Sequence, residues 1–387
     1  MPKKILLVYA KSSLELLDRK SALGSYIFCL CELLQKDNTQ LFVNGIAFNQ
    51  LKKQPSVVKS QVQSGSKIYR KYIPKFLKEA IKDMLILKNI TQLYKQIILS
   101  EKYDCVLEFY NYASNLGSKI AKQQNIPLIV VYDAPVLEEY VFFHGPKYFF
   151  RNKIMKRELE TLKRANSIVA YSDAVKNYLN KIVGKELNIF IHQNVDFTRF
   201  EYVENKTMVD TINIGFIGSF LKWHRVDILV NAFTKLKEEG LNVKLFLLGN
   251  GMEHEIIKWQ VKENKYSADI EMPGFIDGNQ LFEYKKKLHI GVMPGSNWYG
   301  APNKIFEYGA AKMAVVAPDT PTIKSLFNHD EELLLFKQDN ENDLLDKLLV
   351  YINNIELLNK HAQALQLKIK NKYSESITFD FYDQLLR

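Results

Sequence analysis

The sequence predicts an α/β chain of two domains, each built on a parallel, doubly wound sheet. Short apolar runs of strand length alternate with segments of helical period along most of its 387 residues, the pattern a parallel sheet with crossover helices requires. A strand, a glycine-containing loop and a helix open the chain at Lys4, and the same succession opens a second unit at Ile212. Between the two, Glu201 to Thr211 is polar and of mixed charge, as a linker is. The length and a hydrophobic content of 47% suffice for two packed cores.

In the first domain, Lys4 to Ala10 reads as a continuous apolar strand, Ser12 to Ser25 as a loop containing Gly24, and Tyr26 to Leu34 as a helix. Further strands are expected at Gln40 to Ile46, Asp104 to Phe109, Pro127 to Tyr132, Ser167 to Tyr171 and Asn188 to His192. Ligands bind such sheets beyond the carboxyl ends of the strands, which brings forward Phe109-Tyr110-Asn111 and Asp133-Ala134-Pro135. Asp133 can accept a hydrogen bond from a substrate hydroxyl, or cap the turn beside Pro135. Met155 to Asn166 is helical, and Ser172 suits the N-cap of the helix that follows.

The second domain begins with a strand from Ile212 and a loop through Gly218 and Ser219. It is not a dinucleotide fingerprint. Gly215 and Gly218 lack the required spacing and the third glycine, and Gly249-Asn250-Gly251 after the strand Val243 to Leu248 is equally incomplete. Strand Asp269 to Met272 ends at Phe275, which suits either a core or a ligand. Strand Leu288 to Met293 then enters the most informative stretch, Pro294 to Pro318. Gly295, Ser296, Gly300 and Ala301 make a loop open to close approach, and Pro302 suits the first turn of a helix. Ile305, Phe306 and Gly309 would bury one side of that helix while Glu307 stays near its opening, and Met313 to Ala317 reads as a buried strand. A helix N-terminus attracts phosphate, and a carboxylate one turn in can accept two ribose hydroxyls. The stretch therefore reads as a nucleotide site. Thr320 to Phe327, a strand at Leu333 to Phe336, a helix from Glu341 to Ile369 and a terminal helix from Lys372 complete the domain.

The net charge of +10 is concentrated. Leu51 to Ser100 carries eleven basic residues, Lys52, Lys53, Lys59, Lys67, Arg70, Lys71, Lys75, Lys78, Lys82, Lys88 and Lys95, against Glu79 and Asp83. Tyr69, Tyr72, Phe76, Ile81 and Met84 among them fit amphipathic helices whose basic face either lies on an anionic membrane surface or is simply solvated. No recognition-helix, zinc or RNP-type signature accompanies the charge, so nucleic acid is not expected as a partner. Cys29, Cys31 and Cys105 have neither pairing nor ligand spacing, and no signal peptide or membrane span is visible, which points to a reducing cytoplasm. There is no Asp-x-Asp pair, no HExxH and no Cys/His cluster, so no metal site is implied.

The run Pro302, Lys304, Ile305-Phe306-Glu307-Tyr308 and the strand ending at Pro318 resembles the donor-site motif of family 4 glycosyltransferases, retaining enzymes of the GT-B fold. Gly218, Ser219, Trp223, His224, Val226 and Asp227 resemble a second motif of that family, with Arg225 at its usual glycine, and His192 to Asp196 with Phe200 resembles the signpost closing its first domain. The resemblance implies two Rossmann-like domains facing a cleft: 1–205 for the acceptor, 206–368 for the nucleotide-sugar, and 369–387 as a helix crossing back to the first domain. It implies a UDP- or GDP-sugar as co-substrate, no required cofactor, and a glycan or lipid-linked acceptor, in cell-surface polysaccharide or glycolipid synthesis at the cytoplasmic face of a membrane. The implied donor residues are Gly218, Ser219, Lys222, Arg225, Gly249, Asn250, Phe275, Tyr299, Gly300, Ala301, Pro302, Asn303, Lys304, Ile305 and Glu307. Lys222 and Arg225 would face the leaving diphosphate, and Gly24, Ser25, Tyr110 and Asp133 the acceptor, with Asp133 also a catalytic candidate. The first of the two glutamates usual in the motif falls on Tyr299. That substitution keeps open a non-catalytic nucleotide-sugar or lipid binder, and the shared nucleotide site a sugar-nucleotide epimerase of the same fold.

Overall fold

The computed structural model describes residues 2–9, 22–35, 38–53, 81, 84, 88, 90–98, 101–111, 114–144, 151–206, 210–276 and 278–387. They form two compact units, Met1–Asp196 with Glu375–Arg387, and Phe197–Ser374. Of the basic stretch, Lys59, Lys67, Arg70, Lys71, Lys75, Lys78 and Lys82 lie outside the described residues, and with them the expected amphipathic face. Among the described residues no helix is long and apolar enough to cross a membrane.

The first unit is built on strands β1 (Lys3–Tyr9), β2 (Thr39–Val43), β3 (Ile46–Ala47), β4 (Cys105–Phe109), β5 (Leu128–Tyr132), β6 (Ser167–Ala170) and β7 (Ile189–Ile191), in the order β3-β2-β1-β4-β5-β6-β7. All neighbours are parallel except β3, which turns back antiparallel on β2. β4 and β5 are buried along their whole length, which is why they read as unbroken apolar runs rather than alternating ones. The C-terminal helix Glu375–Leu386 belongs to this unit, where Tyr382 and Leu386 join the core formed by Tyr26, Ile27 and Leu30. Two expectations are corrected here. Gly24 and Ser25 are not in a loop: they are buried in the helix Ala22–Leu34. First-turn N–H groups have no intrahelical acceptor, so weak helix formers are tolerated there and the periodicity beginning at Tyr26 marks the start too late. The single strand expected over Gln40 to Ile46 is a hairpin, turned at Asn44 and Gly45, both of positive φ.

The second unit holds β8 (Ile212–Ile217), β9 (Val243–Leu248), β10 (Ile270–Gly274), β11 (Ile290–Val292), β12 (Ala314–Pro318) and β13 (Leu334–Phe336), all parallel, in the order β10-β9-β8-β11-β12-β13. This is the strand order of a Rossmann-like sheet, and its direction of winding reverses between β8 and β11. The loops leaving those two strands diverge and open a crevice at their carboxyl ends. The helix expected over Glu341 to Ile369 is two, Glu341–Asn353 and Ile355–Lys372, because the Asn354 side chain accepts from the Leu357 N–H and caps a new start.

Candidate functional site

Beyond β8 and β9, glycines let the two loops pack backbone to backbone. Gly218 ends β8 with φ 149° and Gly249 ends β9 with φ 139°; a Cβ on Gly249 would lie 1.9 Å from the Gly218 carbonyl oxygen. No side chain fits there. The Phe220 N–H donates to the Asn250 carbonyl at 3.0 Å, and the Asn250 side chain turns back to accept from the Gly251 N–H. Opposite this floor stands the helix Asn303–Ala310, with Pro302 at its N-cap. The Tyr308 hydroxyl fixes the helix to the sheet by accepting from the Ile217 N–H at 2.9 Å.

Lys304, the second residue of that helix, extends across Gly218. A Cβ on Gly218 would meet the lysine Cε at 2.5 Å, and Lys304 Nζ lies 5.6 Å from the Phe216 ring centroid. Nζ is 3.0 Å from Nε2 of His224. The other ring nitrogen, Nδ1, bonds to the Ser219 carbonyl. A carbonyl only accepts, so Nδ1 carries the proton and Nε2 presents a lone pair to the ammonium. Burial, and after it the neighbouring Lys304 charge, hold His224 down to about 3, so it stays neutral. Burial lowers Lys304 to about 8, while Glu307 pulls it back up.

Glu307 meets two cations. Its Oε2 is 3.4 Å from Lys285 Nζ and its Oε1 4.0 Å from Arg199 Nη1. The remaining expected donor residues divide. Gly300 has no room for a side chain against Ser296 Oγ, and the Ala301 carbonyl accepts from the exposed Asn303 at the helix start. Ile305 is fully buried in the core and Tyr299 is 7% exposed, so the Ile305 side chain, expected at the donor, is corrected to a packing residue. Phe275 is 79% exposed at the end of β10, which removes the core reading and leaves the ring available to stack.

Lys222 and Arg225 differ from expectation. Lys222 is exposed on a turn of 3₁₀ helix, and both residues line a pocket of about 400 Å³ with Leu221, Asp227 and Glu253, a lining that includes neither Lys304 nor Glu307. Arg225 has φ 47°, the left-handed conformation that explains a glycine at this place in the resembled motif. Its guanidinium is held by Asp227 at 3.0 Å and by Asp339. A second cavity, about 500 Å³ between Tyr202, Asn213, Lys286 and His289, lies at the amino ends of β8 and β11, the end of a doubly wound sheet that ligands do not use.

In the first unit, Asp133 follows β5 and is half-buried. Burial raises its carboxyl, and the Asn194 amide, donating to Oδ1 at 3.1 Å, partly offsets this. Asn194 in turn accepts from the hydroxyls of Tyr26 at 3.0 Å and Tyr382 at 2.9 Å. Tyr110 follows β4, stacked on Tyr132 at 5.7 Å, and its buried hydroxyl has no hydrogen-bond partner among the described residues. Sequence reasoning missed His224, Lys285 and Asn194 as site residues. His224 and Asn194 stood within quoted motifs, but their roles come from partners far along the chain; Lys285 gave no local signal.

Residues 211–354 match the family model described as "Glycosyl transferases group 1". The chain is 27% identical over 274 residues to a glycosyltransferase of Methanocaldococcus jannaschii, covering 70% of this chain and 71% of that one. Among solved structures it is similar to sucrose-phosphate synthase from Thermosynechococcus elongatus, with a TM-score of 0.76, 16% identity and coverage of 100% and 98%. It is similar also to Anabaena HepE in complex with UDP and glucose, with a TM-score of 0.69, 14% identity and coverage of 99% of each chain. Two Rossmann-like parallel-sheet domains with these structural neighbours define the GT-B fold. The match to that family model lies within the second unit, Phe197–Ser374.

Proposed function

We propose that this protein transfers a sugar from a nucleoside-diphosphate sugar, a UDP-sugar first among candidates, to a hydroxyl of a glycan or lipid-linked acceptor with retention of configuration. The observation that carries the reading is the Lys304 ammonium, held over Gly218 at the carboxyl ends of β8 and β11 with Glu307 one turn further along the same helix. A diphosphate seated on the glycine floor meets that ammonium and the positive end of the helix dipole. The ribose hydroxyls then bond to Glu307, and the exposed Phe275 ring covers the base. HepE, of the same fold, is described in complex with UDP, with UDP-glucose, and with UDP and glucose, which favours uridine.

In the transfer, the bond between the sugar C1 and the diphosphate oxygen breaks and a bond from C1 to the acceptor oxygen forms on the same face. The acceptor proton passes to the departing diphosphate, and the charge left there is met by Lys304. Tyr110 and Asp133 of the first unit are the residues we assign to the acceptor, Asp133 as the hydrogen-bond acceptor for its hydroxyl. Synthesis of a cell-surface glycan at a membrane, with the basic residues 52–95 on anionic lipid, belongs to the same proposal.

A thermal-shift series with UDP, GDP and their sugar conjugates, on the native protein and on Glu307→Gln, tests this. Stabilisation by one nucleotide, reaching about 2.7 kcal/mol at a hundredfold excess over Kd and reduced in the variant, is expected. No stabilisation by any of them at millimolar concentration overturns the reading.

A further inference from the structure

We propose that His224 is the positioning residue for Lys304: a neutral imidazole, fixed as one tautomer by the Ser219 carbonyl, accepts one ammonium hydrogen and leaves the other two directed at the donor's leaving phosphate. The inference rests on the nucleotide-sugar reading above and deepens it.

Three observations carry it. The Lys304 side chain is confined before any ligand arrives, because Gly218 lies against its Cε and the Phe216 ring under its head. Nε2 of His224 sits at hydrogen-bond distance from Nζ, and the imidazole is itself immobilised at its far nitrogen by a backbone carbonyl that can only accept. The imidazole is also wedged by its neighbours, being 8% exposed with the Phe216 and Trp223 rings about 6 Å away. An ammonium has three hydrogens on a flexible stem, and one fixed acceptor removes the freedom that would otherwise be lost on binding. Among the described residues, Glu307 acts on Lys304 from the same helix, and the lysine and imidazole face each other.

A hydrogen bond to the charged form favours that form, so the imidazole lone pair supports the lysine charge in a site where burial opposes it. Removing the acceptor while keeping bulk, in His224→Leu, is expected to lower kcat at least tenfold with a smaller change in donor KM, and to move the alkaline limb of kcat/KM to lower pH. His224→Gln, which keeps an acceptor on a chain of similar reach, is expected to return the limb toward its native position. An unmoved limb in His224→Leu, with native kcat, overturns the proposal. A second measurement needs no substrate. Side-chain ¹⁵N spectra of the native protein, with His224 assigned by its loss in the glutamine variant, are expected to show the Nδ1–H tautomer; the Nε2–H tautomer overturns the proposal even if transfer is never observed. A native protein that has the expected tautomer yet binds neither UDP nor GDP would instead sink the nucleotide-sugar reading and leave the His224–Lys304 geometry standing.

Discussion

The ammonium of Lys285 lies 3.4 Å from the Glu307 carboxylate. Lys285 is 2% exposed, and its other partner is Glu201 at 2.9 Å. A buried ammonium costs several kcal/mol of lost hydration, which two carboxylates offset here, and the same contact fixes where Glu307 points. Replacing it by methionine, of similar length, leaves both carboxylates facing an apolar stem. The expected loss is about 3 kcal/mol of stability, read as a lower urea midpoint with the slope unchanged. UDP affinity should fall in the same variant. An unchanged midpoint would show that solvent already satisfies both carboxylates.

The cations around the glycine floor are not equivalent. Arg225 is neutralised by Asp227 and Asp339, and Lys222 is exposed, whereas Lys304 is half-buried and bonded to a neutral imidazole. Alanine at 304 is therefore expected to reduce donor kcat/KM about a hundredfold, the scale of a charged donor lost from a water-excluded site. Alanine at 222 or 225 should cost less than about tenfold, as exposed or already paired charges do. Steady-state kinetics on the three variants decides the order. A larger effect at 225 than at 304 would place the phosphates over the 222–225 turn.

How much of this was legible in the sequence depended on whether the cause was local. β5 could be read because strands buried on both faces must be apolar throughout, and the helix start at Ser172 because its hydroxyl caps the Val175 N–H within three residues. The donor loop was legible for the same reason, as a run of small residues before Pro302. Lys285 was not. It stands in a run with Lys286 and Lys287, and its neighbour Lys286 is an ordinary exposed lysine; only the packing of the unit distinguishes them. Nor did Gly117 announce itself. A Cβ there would meet Glu108 Oε2 at 2.7 Å, a constraint from a strand eight residues or more away. Arg225 was visible as an exception to a glycine, but the left-handed φ that explains the glycine was not.

Glu108 gives the chain a pH dependence with a definite sign. It is fully buried in β4, and burial raises its carboxyl to about 7, with the Gly117 and Ser118 N–H groups and the Ser114 hydroxyl, 3.1 Å from Oε1, pulling less strongly the other way. Between its ordinary value of 4.5 and about 7, the folded chain keeps a proton that the unfolded chain has released. Rising pH through that window therefore favours unfolding, by about 3 kcal/mol at its upper end. Glutamine at 108 can still accept from the helix N–H groups but cannot titrate. Urea unfolding of both proteins from pH 4.5 to 8 is expected to show the native chain losing stability relative to Glu108→Gln across the window and running level with it, in slope, above about 7. Parallel curves throughout would mean that the helix N-terminus holds the charge after all, and that Glu108 is ionised in the folded protein at every pH tested.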